Sequence, residues 1–326
     1  MSAESVSTPA SLQTFLTELI DYAGLFPPAA LPLAEAFRLY TSYRQAVESW
    51  MLSRFIIPAA RLAELTTIAG RSSTLTAPMT FSTLGRGGSQ PEDFLHNLAA
   101  DLSDVAAFRQ EHGAGVVVDV LETRLPAVTI AHPDWLEMAD EQIRAAGLRA
   151  FYEVPAGPTW QENVAATMEA ISHLNEAQTA YPAGFKLRCG GVEASAFPSA
   201  EQVAWALTTC QQAGVAMKAT AGLHHPLRRY DQEIKVIMHG FLNVVGAAVL
   251  AHVHPLGEKD VTTILLDDNP RHFTFSEDTF AWRGLGATTA EIAQARQQVI
   301  LSFGSCSFEE PRHDLRVLGF LRPEGD

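Results

Sequence analysis

Paired cysteines, a long apolar run and a surplus of basic residues are all missing from this chain. Its three cysteines, Cys189, Cys210 and Cys306, are odd in number and far apart. They offer neither a disulfide framework nor zinc-knuckle spacing, and a reducing cytoplasm is the expected compartment. The longest apolar candidate, Gly240–Ala251, falls short of the ~20 residues a membrane span needs, so no membrane partner is expected. Thirty-seven acids against 23 bases give a net charge of −14, which argues against a nucleic-acid partner. The opening MSAESVSTPASLQ lacks a basic stretch before an apolar one, so no secretory signal is expected. No HExxH, P-loop or dinucleotide fingerprint occurs. The glycine cluster Gly85–Gly88 reads as a turn over a site rather than a phosphate cradle.

What is present is alternation. The chain has 326 residues and is 47% hydrophobic, enough to fill one large core. Strand patterns (Asp21–Phe26, Arg54–Pro58, Pro78–Leu84, Gly115–Leu121, Arg149–Val154 and two later ones) alternate with helical patterns such as Pro91–His112 and Ser199–Ala213. Seven such units with no compositional break predict one domain over 1–326, a parallel α/β barrel of the (β/α)8 type with helices outside. The last unit reads as irregular. Phe241–His254 is too continuously apolar for periodicity to separate strand from helix. Phe273–Trp282 reads as an added hairpin, Thr289–Ser302 as a helix and Phe303–Leu321 as a tail. The hairpin's aromatics need cover, from the barrel mouth or from a second copy in a homo-oligomer. Gly70–Thr76 reads as a mobile stretch.

The two later strands carry the chemistry. In GFKLRCGG, Lys186 and Arg188 share one face; in GVAMKATAGLHHP, Lys218 shares its face with Ala216 and Thr220. A lysine inside so apolar a strand needs an anionic partner. Barrel active sites lie at the C-terminal strand ends. Those ends supply Asp21, Asp119, Glu122, Glu153, Lys186, Arg188, Lys218, His224 and His225. Asp119 or Glu153 suits proton transfer. Arg188, with Gly190 and Gly191 offering backbone N–H groups, suits a carboxylate or phosphate. Cys306 shows no upstream partner and reads as a packed small residue. Asp21 reads as a carboxylate bonded to a backbone N–H.

Phe185–Gly222 resembles the late strands of the deoxyribose-phosphate aldolase family of class I aldolases. That resemblance implies Lys186 as the imine-forming lysine, Lys218 as the lysine that perturbs it and Asp119 as the proton shuttle. Leu187 and Arg188 replace small hydroxyl residues of that pattern, and His224-His225 has no counterpart in it. The chain as a whole resembles an uncharacterised bacterial family through DYAGLFPPA, HGFLN and FGSCSFEEPRHDL. This second resemblance implies no activity, only that Asp21, His239, Asn243, Cys306 and Glu309 merit inspection.

The expected function is therefore an enzyme acting on a small anionic carbonyl compound, a carbon–carbon lyase or isomerase working through Lys186. In this reading Lys218 and Arg188 lower the Lys186 pKa, and His224, His225 and Asp21 line the substrate. No cofactor is required. One alternative is a metal-dependent hydrolase or isomerase with a divalent ion on His224, His225, Glu153 and Asp119, with His252 and His254 as further candidates. Another is a barrel that binds a small anion without catalysis.

Overall fold

The computed structural model describes residues 8–69, 78–127, 134–177 and 180–323; the Gly70–Thr76 stretch lies outside them. Eight parallel strands close into a barrel: β1 (Ile20–Tyr22), β2 (Leu52–Pro58), β3 (Met79–Leu84), β4 (Val116–Arg124), β5 (Arg149–Glu153), β6 (Gly184–Arg188), β7 (Met217–Thr220) and β8 (Ile300–Ser305). β8 pairs with β7 on one side and β1 on the other, completing the ring. The expected (β/α)8 architecture is present.

Strand alternation sorts side chains into two layers. Tyr152 in β5 points outward, its hydroxyl donating to Asp140 of the helix Asp134–Ala145. Its neighbour Phe151 points inward, beneath the Lys218 ammonium. Outside the ring, Tyr22, Tyr40, Phe55 and Phe81 form an aromatic cluster with centroid spacings of 5.4–6.4 Å. Burial of this outer layer stabilises the barrel at roughly 25 cal/mol per Å² of apolar surface. The inner layer is different: it is largely charged. Room for it is made at Gly184, where an added Cβ would lie 2.5 Å from the Phe151 ring and 2.7 Å from the Ala216 carbonyl.

Helix boundaries follow local chemistry. Ala200–Ala213 starts at a Ser199/Gln202 capping box and stops at Gly214, whose φ of 64° is left-handed, as the helix–Gly–strand pattern predicts. Pro91 opens the long helix Pro91–His112 with Glu92 and Asp93 in its first turn.

The last third corrects the sequence reading. Phe241–Val253 is a helix buried along nearly its whole length. The helix after the hairpin ends at Gln298, and Ile300–Ser305, read as helix end and tail, is the closing strand. A further helix, Glu309–Val317, follows it. Two antiparallel additions lie between β7 and β8. One is the small hairpin Arg229–Asp231/Val236–Met238. The other extends the expected Phe273–Trp282 hairpin by a third strand, Leu285–Thr288. Its aromatics are covered within the chain: Phe15 of the first helix lies 5.3 and 5.0 Å from Phe275 and Phe280. Neither the barrel mouth nor a second copy is needed to shield them.

Candidate active site

Lys186 and Lys218 are register partners across β6 and β7. Side chains at matched positions leave neighbouring strands about 4.8 Å apart on the same face. Two ammonium groups that close repel unless an anion divides them. Glu122, from β4 across the barrel, does so. Its Oε2 lies 3.0 Å from Lys186 Nζ, and its Oε1 2.5 Å from Lys218 Nζ. Lys218 continues to Asp21 on β1 at 2.8 Å. Lys186 continues to Glu153 on β5 at 3.2 Å, and Glu153 to Arg188 Nε at 3.1 Å.

The result is one chain of alternating charge, Arg188–Glu153–Lys186–Glu122–Lys218–Asp21. It runs from the half-exposed Arg188 side chain (48%) to the fully buried Asp21 (0%). Hydroxyls and backbone complete it. Ser82 Oγ donates to Glu122 at 2.6 Å, and Ser302 Oγ donates to Asp21 at 2.6 Å. The Arg54 backbone N–H donates to Asp21 at 3.0 Å. Three cations and three anions balance, which is how so many buried charges are tolerated.

The pairing fixes protonation. Burial opposes ionisation of Glu122, but Lys218 and Lys186 outweigh it and hold the carboxyl far below the usual range. Burial likewise opposes ionised Glu153, and Lys186 and Arg188 overcome it. At Lys186, burial pulls the ammonium pKa down, yet Glu122 and Glu153 more than compensate and raise it. This corrects the expectation that Arg188 and Lys218 depress it: the carboxylates stand between the cations.

Beside this chain lies a cavity of about 300 Å³ whose lining includes Glu122, Lys186, Arg188, Gly191, His224 and Cys306, together with Phe26 and Pro27. Gly190 is not among the residues lining it. Its Cα packs against Gly222, where an added Cβ would lie 2.8 Å from Gly222 Cα, so the loops after β6 and β7 touch. Its carbonyl accepts from Arg188 Nη1 at 3.4 Å.

The two histidines part company. His224 lines the cavity and lies 3.7 Å from Cys306 Sγ through Nδ1, with Glu310 3.4 Å away. His225 turns aside to Asp314, at 2.6 Å. Cys306 therefore has a partner, 82 residues upstream in the chain. No local pattern signals a contact of that span. Glu122 was legible only as a strand-end acid, without a role.

Asp119 is not at the mouth. It lies three residues before Glu122, at a bulge where Phe81 pairs with Val118 and Ser82 with Val120. There it takes the Arg54 guanidinium in two bonds of 2.7 and 2.6 Å. The set offered for a divalent ion does not converge: Asp119 pairs with Arg54, Glu153 with Lys186 and Arg188, and His225 with Asp314. His254 Nε2 donates to the Gly286 carbonyl. Among the described residues, no group of three or more His, Cys, Asp and Glu side chains is arranged to hold a metal. Of the other residues singled out, His239 bonds the Pro198 carbonyl at 2.7 Å, and Asn243 bonds the Ile264 and Asp267 carbonyls. His239 ties the insertion between β7 and β8 to the segment after β6, and Asn243 joins two segments within that insertion. Glu309 opens the final helix.

No helix among the described residues is long and apolar enough to cross a membrane. No family model matches the chain, and no curated protein does. Among solved structures, the chain is similar to a deoxyribose phosphate aldolase from Aeropyrum pernix, itself described as tetrameric. The identity is 13%, 67% of this chain and 86% of that chain are covered, and the TM-score is 0.41.

Proposed function

We propose that this barrel is an enzyme for a small anionic carbonyl compound and that Lys186 is its nucleophile, forming an imine in a carbon–carbon lyase or isomerase reaction. The observation that carries this reading is the position of Lys186. It is a buried lysine that nonetheless lines the cavity, and it touches two carboxylates that can take its protons. An ammonium cannot attack a carbonyl. When substrate enters, a proton passes from Lys186 to Glu153 or Glu122, and the freed amine adds to the carbonyl carbon. The carboxylic acid so formed returns its proton to the carbinolamine hydroxyl, which leaves as water and gives the protonated imine (iminium). Glu153 is the better acceptor, since Glu122 already holds Lys218 and Ser82. Lys218 acts on Glu122, keeping it ionised and fixed, rather than on Lys186 directly.

Arg188 gives the substrate its anionic handle. Its guanidinium is half exposed and lies at the edge of the cavity, with Glu153 occupying only its Nε side. The cavity suits a substrate of a few carbons bearing one carboxylate or phosphate.

The test is an activity screen with pyruvate, glyoxylate, acetaldehyde and small aldose phosphates, with calorimetric binding measured in parallel. Lys186→Arg should abolish turnover while anion binding survives. Turnover retained by Lys186→Arg would sink the imine mechanism. Arg188→Gln should raise KM for the anionic substrates about tenfold to a hundredfold, the worth of one charge-assisted hydrogen bond. It should leave acetaldehyde unaffected.

A further inference from the structure

An imine on Lys186 makes the neighbouring carbon acidic, and some group must take and return its proton. The carboxylates are poorly suited. Glu122 accepts from Lys186, Lys218 and Ser82, and Glu153 from Lys186 and Arg188. Glu153 already handles the Lys186 proton in the imine reading, and Glu122 is held ionised by Lys218 and Lys186. Among the described residues lining the cavity, two other groups that can move a proton remain, His224 and Cys306, and they touch each other.

We propose that Cys306, paired with His224, is the acid–base residue that moves the proton at the substrate carbon beside the carbonyl. The inference rests on the Lys186 reading. Cys306 follows the end of β8 and His224 follows β7, so strand ends place both at the mouth. Only 9% of Cys306 and 8% of His224 is exposed, which shields the pair from bulk water while leaving it open to the cavity. The other groups at the pair are the Glu310 carboxylate and the His225 ring, its centroid 6.4 Å from that of His224; the Tyr22 phenol in the outer aromatic cluster feels the Cys306 and Glu309 charges. Burial opposes an imidazolium at His224, but Cys306 and Glu310 outweigh it and lift its pKa to about 10. In the pair, His224 Nδ1 points to the Cys306 sulfur at 3.7 Å.

The step balances with the residues present. The Cys306 thiolate takes a proton from the carbon next to the iminium carbon. The C–H electron pair becomes the carbon–carbon double bond of the enamine, and the iminium π pair moves to nitrogen. His224 stays an imidazolium throughout. The reverse step returns the proton from the thiol. Glu310 is a positioning residue that orients the ring.

The experiment places the full chain with pyruvate in D2O and follows methyl exchange by NMR, with borohydride trapping at Lys186 read in parallel. In Cys306→Ser and Cys306→Ala, trapping should persist while exchange falls about a hundredfold or more. Exchange at the unsubstituted rate with trapping intact would overturn the proposal. Absence of trapping in the unsubstituted chain would instead count against the Lys186 reading. Alkylation by iodoacetamide then still reads the pair. Cys306 should label far faster than Cys189 and Cys210, whose thiols burial pushes up to about 12. His224→Gln should slow Cys306 labelling about tenfold. Equal labelling rates with and without His224 would overturn the pair outright.

Discussion

Glu122 separates two ammonium groups and accepts a hydroxyl, so its loss is felt at three neighbours. Lys218→Met should destabilise the fold by about 3–5 kcal/mol, because it leaves Asp21 and Glu122 buried without their shared cation. Urea denaturation of the variant checks this; a loss below ~1 kcal/mol would mean the chain is not formed as described. The same groups set the pH dependence. Glu122 and Glu153 titrate lower folded than unfolded. Their stabilisation is complete above the unfolded value of about 4.3 and drains away as pH falls through the folded values. Lys186 titrates higher folded than unfolded. Its contribution is complete below about 10.4 and is lost only as pH rises through its raised folded value. Stability should therefore fall in acid, and it should also decline as pH rises from about 6.5, because His224, lifted to about 10, loses its contribution over that range. Glu122→Gln should flatten the acid limb, as melts between pH 3 and 7 will show.

At the scale of elements, legibility followed periodicity. β6 and β7 were readable because a single lysine breaks each apolar strand at a position that period two assigns to one face. Their shared register confirms the pairing of Lys186 with Lys218. β8 was not readable, because ILSFGS follows TAEIAQARQQ without a breaker and extends its helical pattern. Phe241–Val253 hid its type because a helix buried on every side has no polar face. Asp119 was misplaced for another reason. It sits at the bulge in β4, three residues before the strand-end Glu122, where the regular alternation breaks and Arg54 takes it. Glycines at element ends and interiors differ in a way that can be measured. Gly184→Ala meets the Phe151 ring and a backbone carbonyl, and should cost about 1–3 kcal/mol through overpacking. Gly214→Ala meets nothing within 4 Å and pays only for its left-handed φ, about 1 kcal/mol. Equal losses in the two variants would contradict the crowding at β6.

Taken whole, the molecule is a barrel with an apolar sleeve outside its strands and a neutral line of six charges within. The line links five strands, β1, β4, β5, β6 and β7, and surfaces at a cavity that also holds Cys306 and His224. The insertion between β7 and β8 and the first helix lie against each other and shield the added aromatics. Such an interior holds charged groups in place at a cost in desolvation that only full pairing offsets. The central claim is that Lys186 is the group that meets the substrate carbonyl. Its most direct test is borohydride reduction in the presence of pyruvate or acetaldehyde, followed by peptide mapping of the adduct. One reduced adduct per chain is expected, on Lys186 and absent from Lys186→Arg. An adduct on Lys218 or on a surface lysine, with Lys186 unmodified, would contradict it.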